Sequence, residues 1–402
     1  MEVATRPQTG SDAGALLQYK QHLQIFKKSD MASYNDVLGV LRTYRNELEQ
    51  STQEEIASQF EGGTLSISAF AAREDTAAFA TPLSNIHATG VGIRIKDKKM
   101  VKDDFTLKVY VFSKIDLKEK TPELTRQFNG IAVDVEVLPV QLALAKRKKA
   151  VRLQRAAATA SATTISQHRT KHRPIEGGIS IAPINEPFVG TLGCFLQRVT
   201  GGSKQIFALS NNHVMADVNR LPVGTLIVQP GPEVAQSAPE DVFAALSAFI
   251  PIRFPQTRLD PVVNAFDAAI SIVSDETLIK TSAIFGISNY NPKVSVAVPG
   301  MRVIKSGRTT GVTTGVVSAT RVNGVQVNYG SSNSPIIATF NDTITIVSDD
   351  PDKPFSLPGD SGSVILDQET GQPVALLFAG DGVTTTACDL GGVCRQFQAF
   401  PV

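Results

Sequence analysis

The chain has no tryptophan, three cysteines and five histidines among its 402 residues. Cys194, Cys388 and Cys394 cannot all pair, so a disulfide-stapled scaffold is excluded. Cys388 and Cys394 are near enough in sequence to close a small loop, but free thiols in a reducing compartment are the expectation. No apolar run approaches the roughly 18 residues that a membrane span needs. The opening MEVATRPQTGSDAGALLQYK lacks the apolar core of a signal peptide. A cytoplasmic protein is expected. There is no H-E-x-x-H, and residues 175–402 contain a single histidine, His213. Zinc-peptidase chemistry is therefore not expected there, and nothing in the sequence calls for a metal or organic cofactor.

What is present is unevenly distributed. The net charge is +1, yet residues 141–174 hold nine Lys/Arg and no Asp or Glu, leaving 30 basic against 38 acidic residues elsewhere, a balance of −8. That stretch has an Ala/Ser/Thr-rich middle and basic ends, the composition of a solvated tether. It lacks the interleaved aromatics that stack nucleic-acid bases, so nucleic acid is not an expected partner.

On this basis the chain divides into a helical and α/β region at 1–140, a basic flexible linker at 141–174, and a third region at 175–402. In the first, Leu16, Tyr19, Leu23 and Phe26, and again Val37, Leu41, Tyr44 and Leu48, keep one helical face across residues 14–60. Ser33 with Asp36, and Ser51 with Glu54, have the spacing of helix starts. GVGIRI, LKVYVF and IAVDVEVLPV alternate as strands do, and TPELTRQFNG fits a short helix. In the third region, short apolar segments such as TLIVQP, DAAISIV, TITIVS and VALLFAG alternate with Gly/Pro/Asn/Asp turns. This texture predicts a mainly β sandwich or barrel.

Within that β region stands LPGDSGSVIL, residues 357–366. Gly-Asp-Ser-Gly alone is ordinary turn chemistry, because Gly admits positive φ and Asp bonds nearby backbone. A serine hydroxyl becomes a nucleophile only when a base removes its proton, and the base acts best when a third group orients it. The region's one histidine, His213, ends an apolar strand in FALSNNHVMA. Ten aspartates lie between it and Ser361. Asp267, opening the apolar strand in NAFDAAISIV, is the best placed to be buried beside an imidazole, with Asp260 in RLDPVV its competitor. An α/β-hydrolase reading fails, because Gly359-Asp360-Ser361-Gly362-Ser363 lacks the second glycine of G-x-S-x-G and the histidine precedes the serine.

NNHVMA, FDAAI and GDSGS, in the order His, Asp, Ser across 228 residues, resemble the three motifs of the chymotrypsin-type (trypsin-like) serine peptidase family. LSNNHV, GRTTGVTTG and GDSGS together look most like the intracellular NARROW LEAF 1-like and bacterial trypsin-like peptidases. The resemblance implies a C-terminal double β-barrel of the trypsin-like type over 175–402. It implies an intracellular serine endopeptidase acting through an acyl-enzyme, with His213 as general base, Asp267 orienting it and Ser361 as nucleophile. The backbone N–H groups of Gly359 and Ser361 would form the oxyanion hole. Phe355, six residues before the serine, stands where trypsin keeps an acidic specificity residue, so preference for Lys or Arg is unsupported; Phe355 is either a pocket residue or core. Phe378, Ala379 and Gly380 fall on the strand that pairs with substrate backbone in that family.

RPIEGGISI echoes the family's activation site, where a freed amine pairs with the aspartate before the serine, here Asp360. Pro174 obstructs cleavage after Arg173, so Asp360 is expected to find another donor. The expected partners are a protein or peptide substrate and the chain's own N-terminal domain, acting as a regulatory restraint. The competing reading is a catalytically latent peptide-binding or adaptor protein on the same scaffold.

Overall fold

The structure, a computed structural model, describes residues 31–61, 85–96, 99–112, 127–143, 146–147, 167–232, 238–255, 262–331 and 333–402. It begins with one long helix, α1 (Tyr34–Glu61). Ser33 caps it as the spacing predicted: the Ser33 amide and hydroxyl both donate to Asp36 Oδ2, at 2.9 and 2.6 Å, and the Asp36 amide donates back to Ser33 Oγ. The second start expected at Ser51 is absent, because the helix runs through that position unbroken. The earlier helical stretch from residue 14 lies outside the described residues.

Strands β1 (Ile86–Lys96), β2 (Lys99–Val111), β3 (Gln127–Phe128) and β4 (Ile131–Val137) follow. The helix expected over TPELTRQFNG is corrected at its end. Gln127 and Phe128 pair antiparallel with Ala132 and Ile131 across an Asn129–Gly130 turn with both φ values positive, so a hairpin takes precedence there. Val37, Leu41 and Tyr44 of α1 pack on Val91, Leu107, Val109, Ile131 and Val133, burying one face of this small sheet. The periodicity of 3.6 on the helix meets the periodicity of 2 on the strands.

Two short strands come next, β5 (Gln141–Ala143) and β6 (Lys146–Arg147). Here the linker boundary drawn at 141 is corrected: these residues are paired backbone, since each segment finds the open edge of a longer strand. Residues 148–166 lie outside the described residues.

The remainder is nearly all β. A first sheet includes β8 (Ser180–Pro183), β9 (Phe188–Thr191), β10 (Phe195–Thr200), β11 (Ser203–Ser210), β12 (Leu226–Val228), β13 (Val242–Phe249), β14 (Ala269–Val273) and β24 (Phe400–Pro401), in the order β24-β10-β11-β14-β13-β12-β8-β9-β6. β7 (Ile175–Gly177) pairs separately, and in parallel, with β15 (Ile279–Ile284). The second half is a closed six-strand barrel. Its strands are β16 (Arg302–Gly307), β17 (Gly311–Asn323), β20 (Thr343–Ser348), β23 (Thr384–Asp389), β22 (Pro373–Gly380) and β21 (Val364–Asp367), and β21 returns to β16. β18 (Val325–Asn328) and β19 (Ile337–Phe340) form a flanking hairpin. Closure removes the exposed edges that an open sheet would leave. Separate apolar clusters fill the two halves, one around Phe195, Ile206 and Phe243, the other around Val303, Val317, Ile346 and Leu377.

The N-terminal unit is not free-standing. β17 is 13 residues long, and its second half pairs with β1 (Val91↔Thr320, Gly92↔Ala319), so one sheet runs from the barrel into the N-terminal strands.

Candidate active site

The site forms where the two halves meet, and each side chain reaches it from the end of a strand. β11 runs apolar to Ser210 and passes into the one-turn helix α2 (Asn212–Met215), which carries His213. Asp267 lies just before β14, the strand paired with β11, so neighbouring strands deliver histidine and aspartate together. His213 Nδ1 bonds Asp267 Oδ2 at 2.5 Å, and the His213 amide donates to Asp267 Oδ1 at 3.2 Å. Both residues are buried, at 3% and 0% exposure. A carboxylate only accepts, so this contact places the imidazole proton on Nδ1 and leaves Nε2 with its lone pair. His213 Nε2 is buried with no hydrogen-bond partner among the described residues. Asp260, the competing aspartate, lies outside the described residues.

Asp267 is held by more than the histidine. Tyr329, following β18, donates its hydroxyl to Asp267 Oδ2 at 2.9 Å, and Asn211 Nδ2 donates to the Asp267 carbonyl at 2.7 Å. Burial, reinforced by the Asp267 charge, pushes the Tyr329 phenol well above its ordinary pKa, so it remains a donor across the working pH range. Neither residue was foreseen. Asn211 stands in the NNH segment but carried no assigned role, and a tyrosine 62 positions beyond the aspartate leaves no local signal.

Ser361 sits on the turn leading into β21. Its flanking glycines both have positive φ, +107° at Gly359 and +93° at Gly362. A Cβ at Gly359 would collide with Thr309 Oγ1, and one at Gly362 with Ser210 Oγ and the Thr191 carbonyl, so both sterics and backbone demand glycine. The turn is pinned to the first half, where the Thr191 amide donates to the Ser361 carbonyl at 2.8 Å and Thr191 Oγ1 to the Gly359 carbonyl at 2.8 Å. Gly190 separates the two catalytic candidates closely. A Cβ there would lie 2.6 Å from Val214, the neighbour of His213, and 3.1 Å from the Ser361 carbonyl. The amides of Gly359 and Ser361 donate to no acceptor among the described residues, which leaves both available to an oxyanion. Ser361 Oγ itself donates to the Phe378 carbonyl at 3.3 Å, and the hydroxyl is not bonded to His213 in this conformation.

Asp360 finds its donors internally, as expected. Its carboxylate accepts from the amides of Leu357, Thr309 and Thr310 (2.9, 2.7 and 3.1 Å) and from Thr310 Oγ1 (2.8 Å). Lys305 Nζ lies 3.6 Å away, with both side chains wholly buried. Lys305 also donates to Thr310 Oγ1 and to the Gly311 carbonyl. Burial pushes the lysine pKa down, and the Asp360 charge opposes that shift. The KSGRTTG segment is thus the cradle of the nucleophile turn. Ile175, the residue whose amine the activation-site echo would free, is mid-chain in β7 and buried.

Of the two readings of Phe355, its burial favours core. It is 1% exposed and belongs to the cluster of Val303, Val317 and Leu377, its ring against Gly315, whereas Phe378 packs in a different cluster with Phe340. A large apolar side chain completes the barrel core there. Phe378, Ala379 and Gly380 are brought together at the end of β22 beside Ser361. All three cysteines are free and buried, and burial raises the Cys394 thiol to about 12 and the other two further. Thiolate nucleophiles are therefore not on offer at neutral pH.

A family model described as the Nal1 C-terminal domain matches residues 159–387. Similar solved structures include Nocardiopsis protease (NAPase), 17% identical, covering 57% of this chain and 99% of its own with a TM-score of 0.37. Thermobifida fusca protease A is 16% identical over 57% of this chain and 98% of its own, TM-score 0.38, and Cellulomonas bogoriensis chymotrypsin 14% over 57% and 98%, TM-score 0.36. No curated protein matches.

Proposed function

The chain belongs to the Nal1 C-terminal domain family and folds as a mainly β, trypsin-like protein, and from that premise we propose that it is a serine endopeptidase. The observation that carries this reading is the buried His213–Asp267 pair with an unpartnered Nε2, its neighbour Val214 and the Ser361 carbonyl both lying close to Gly190. Burying an imidazole nitrogen without a partner costs free energy, which is tolerated where the atom has chemistry to perform.

In the proposed cycle a substrate peptide takes the place of β5 beside the end of β22, and Ser361 Oγ exchanges its bond to Phe378 for one to His213 Nε2. The imidazole takes the hydroxyl proton as Oγ adds to the scissile carbonyl. Asp267, itself fixed by Tyr329, holds the ring and stabilises the imidazolium. The Gly359 and Ser361 amides receive the developing oxyanion, a donor of this kind being worth about 3 kcal/mol of barrier. His213 then protonates the leaving amine, and water hydrolyses the acyl-enzyme. We place this activity in the cytoplasm on the strength of three unpaired thiols; no helix among the described residues is long and apolar enough to cross a membrane.

The bond from Ser361 Oγ to Phe378 favours a second reading, a latent peptide-binding barrel. Hydrolysis of an unstructured protein substrate by the full chain, set against Ser361→Ala and His213→Ala, separates the two. The endopeptidase loses activity by about 10⁶ in either variant, the scale of a missing triad member. Equal turnover by wild type and variants would leave only the binding module.

A further inference from the structure

The two amides assigned to the oxyanion belong to peptide groups whose carbonyls are already held. A trans peptide is planar with its N–H and C=O pointing opposite ways, so whatever holds the carbonyl decides where the amide points. In the Asp360–Ser361 peptide the carbonyl accepts from the Ser363 amide at 3.0 Å, a main-chain bond inside the nucleophile turn. In the Pro358–Gly359 peptide the carbonyl accepts from a side chain, Thr309 Oγ1, at 2.8 Å. The two amides are therefore secured differently, one by the turn itself and one by a hydroxyl from another part of the chain.

That hydroxyl is placed by the connection between β16 and β17. The Thr309 amide donates to Asp360 Oδ1 at 2.7 Å. One residue thus holds the chain before Gly359 through its side chain and the chain after it through its backbone. The neighbouring Arg308 acts on the next peptide. Its amide donates to Thr191 Oγ1 at 3.0 Å, and that hydroxyl donates in turn to the Gly359 carbonyl at 2.8 Å. Gly359 itself has φ +107° and no Cβ, so no side chain of its own resists rotation of the peptide before it. Pro358 is half-buried. Without the Thr309 hydroxyl its carbonyl gains by turning toward water, and that turn carries the Gly359 N–H away from the reacting carbonyl.

We propose that Thr309 is a positioning residue for the oxyanion hole, its hydroxyl latching the Pro358–Gly359 peptide with the N–H toward the reacting carbonyl; this rests on the endopeptidase reading above. The latch acts on charge that develops only in the transition state, so its loss lowers kcat and leaves KM in place. Deleting one such donor outright costs about 10²–10³ in kcat, and turning it aside for part of the time costs about ten- to hundredfold.

Thr309→Val keeps the branched shape and the amide on Asp360 while deleting the hydroxyl, and Thr309→Ser restores the hydroxyl. The full chain and both variants are compared on a fluorogenic peptide spanning the bond that wild type cuts fastest in unfolded casein. The matching peptide aldehyde is the second probe. Ser361 Oγ adds to its carbonyl carbon, the hydroxyl proton goes to His213 Nε2, and the carbonyl oxygen becomes an oxyanion that the hole must hold. Thr309→Val should lose about ten- to hundredfold in kcat with KM within about twofold of wild type, and should bind the aldehyde more weakly by the same factor as it loses in kcat/KM. Thr309→Ser should stand close to wild type in all three. Wild-type kcat in Thr309→Val would overturn the latch and leave the endopeptidase standing. So would a loss that falls on KM, that spares aldehyde binding, or that Thr309→Ser does not reverse, because each marks a structural role alone. A wild-type chain that cuts no casein and takes no fluorophosphonate on Ser361 overturns both.

Discussion

Asp267 accepts three hydrogen bonds through its side chain, two from His213 and one from Tyr329. The tyrosine's contribution is separable, because phenylalanine keeps the ring that packs edge-on against the imidazole at 5.9 Å. A hydrogen bond to a charged group contributes about 1.5–3 kcal/mol. Tyr329→Phe should therefore lower kcat/KM on a peptide substrate by roughly ten- to hundredfold, and the melting temperature by a few degrees. Unchanged kcat/KM would show that Tyr329 fills space and does not position the aspartate. At this scale the sequence was informative where chemistry is local. Ser361 sits between two glycines that the turn requires, and His213 is the region's sole histidine, so both could be picked out by residue type and spacing. Tyr329 could not, since it meets Asp267 only after two strands from different parts of the chain are brought together. Phe355 could not be decided either, because a buried phenylalanine reads the same in a core and at the base of a pocket.

The decisive element is the β16–β17 hairpin. It buries Lys305 against Asp360 and turns the Thr309 and Thr310 amides onto the same carboxylate, so the nucleophile turn is braced by a strand connection with no freed terminus involved. Lys305→Met keeps the volume and removes the charge, leaving a buried carboxylate short of its cation. Breaking such a pair costs about 3–5 kcal/mol, which chemical denaturation will read as a lower midpoint. A midpoint equal to wild type would mean that the four hydrogen bonds on Asp360 suffice. The short apolar segments between turns identified most barrel strands, because alternation with Gly/Pro/Asn/Asp punctuation is a local signal. β5 and β6 were read as tether for the same reason. Three residues and two residues carry too little pattern, and their strand state comes wholly from the edges they join.

Across the whole molecule, the N-terminal unit and the second barrel share one sheet through β17. Arg45 of α1 fastens that junction, its Nη2 donating to the carbonyls of Thr89 on β1 at 2.9 Å and Arg321 on β17 at 2.6 Å. Arg45→Ala removes both bonds and should lower the unfolding free energy by about 1–3 kcal/mol, read as a lower denaturation midpoint. No change would mean that strand pairing alone carries the junction. A composition-based boundary missed this continuity, because basic, Ala/Ser/Thr-rich sequence reports solvation and says nothing of long-range pairing. Everything proposed for the molecule depends on Ser361 being an activated nucleophile. The most direct test is fluorophosphonate labelling of the full chain, with the adduct mapped by mass. The account predicts a single adduct on Ser361 in wild type and none in Ser361→Ala or His213→Ala. No adduct on Ser361 in wild type would contradict it.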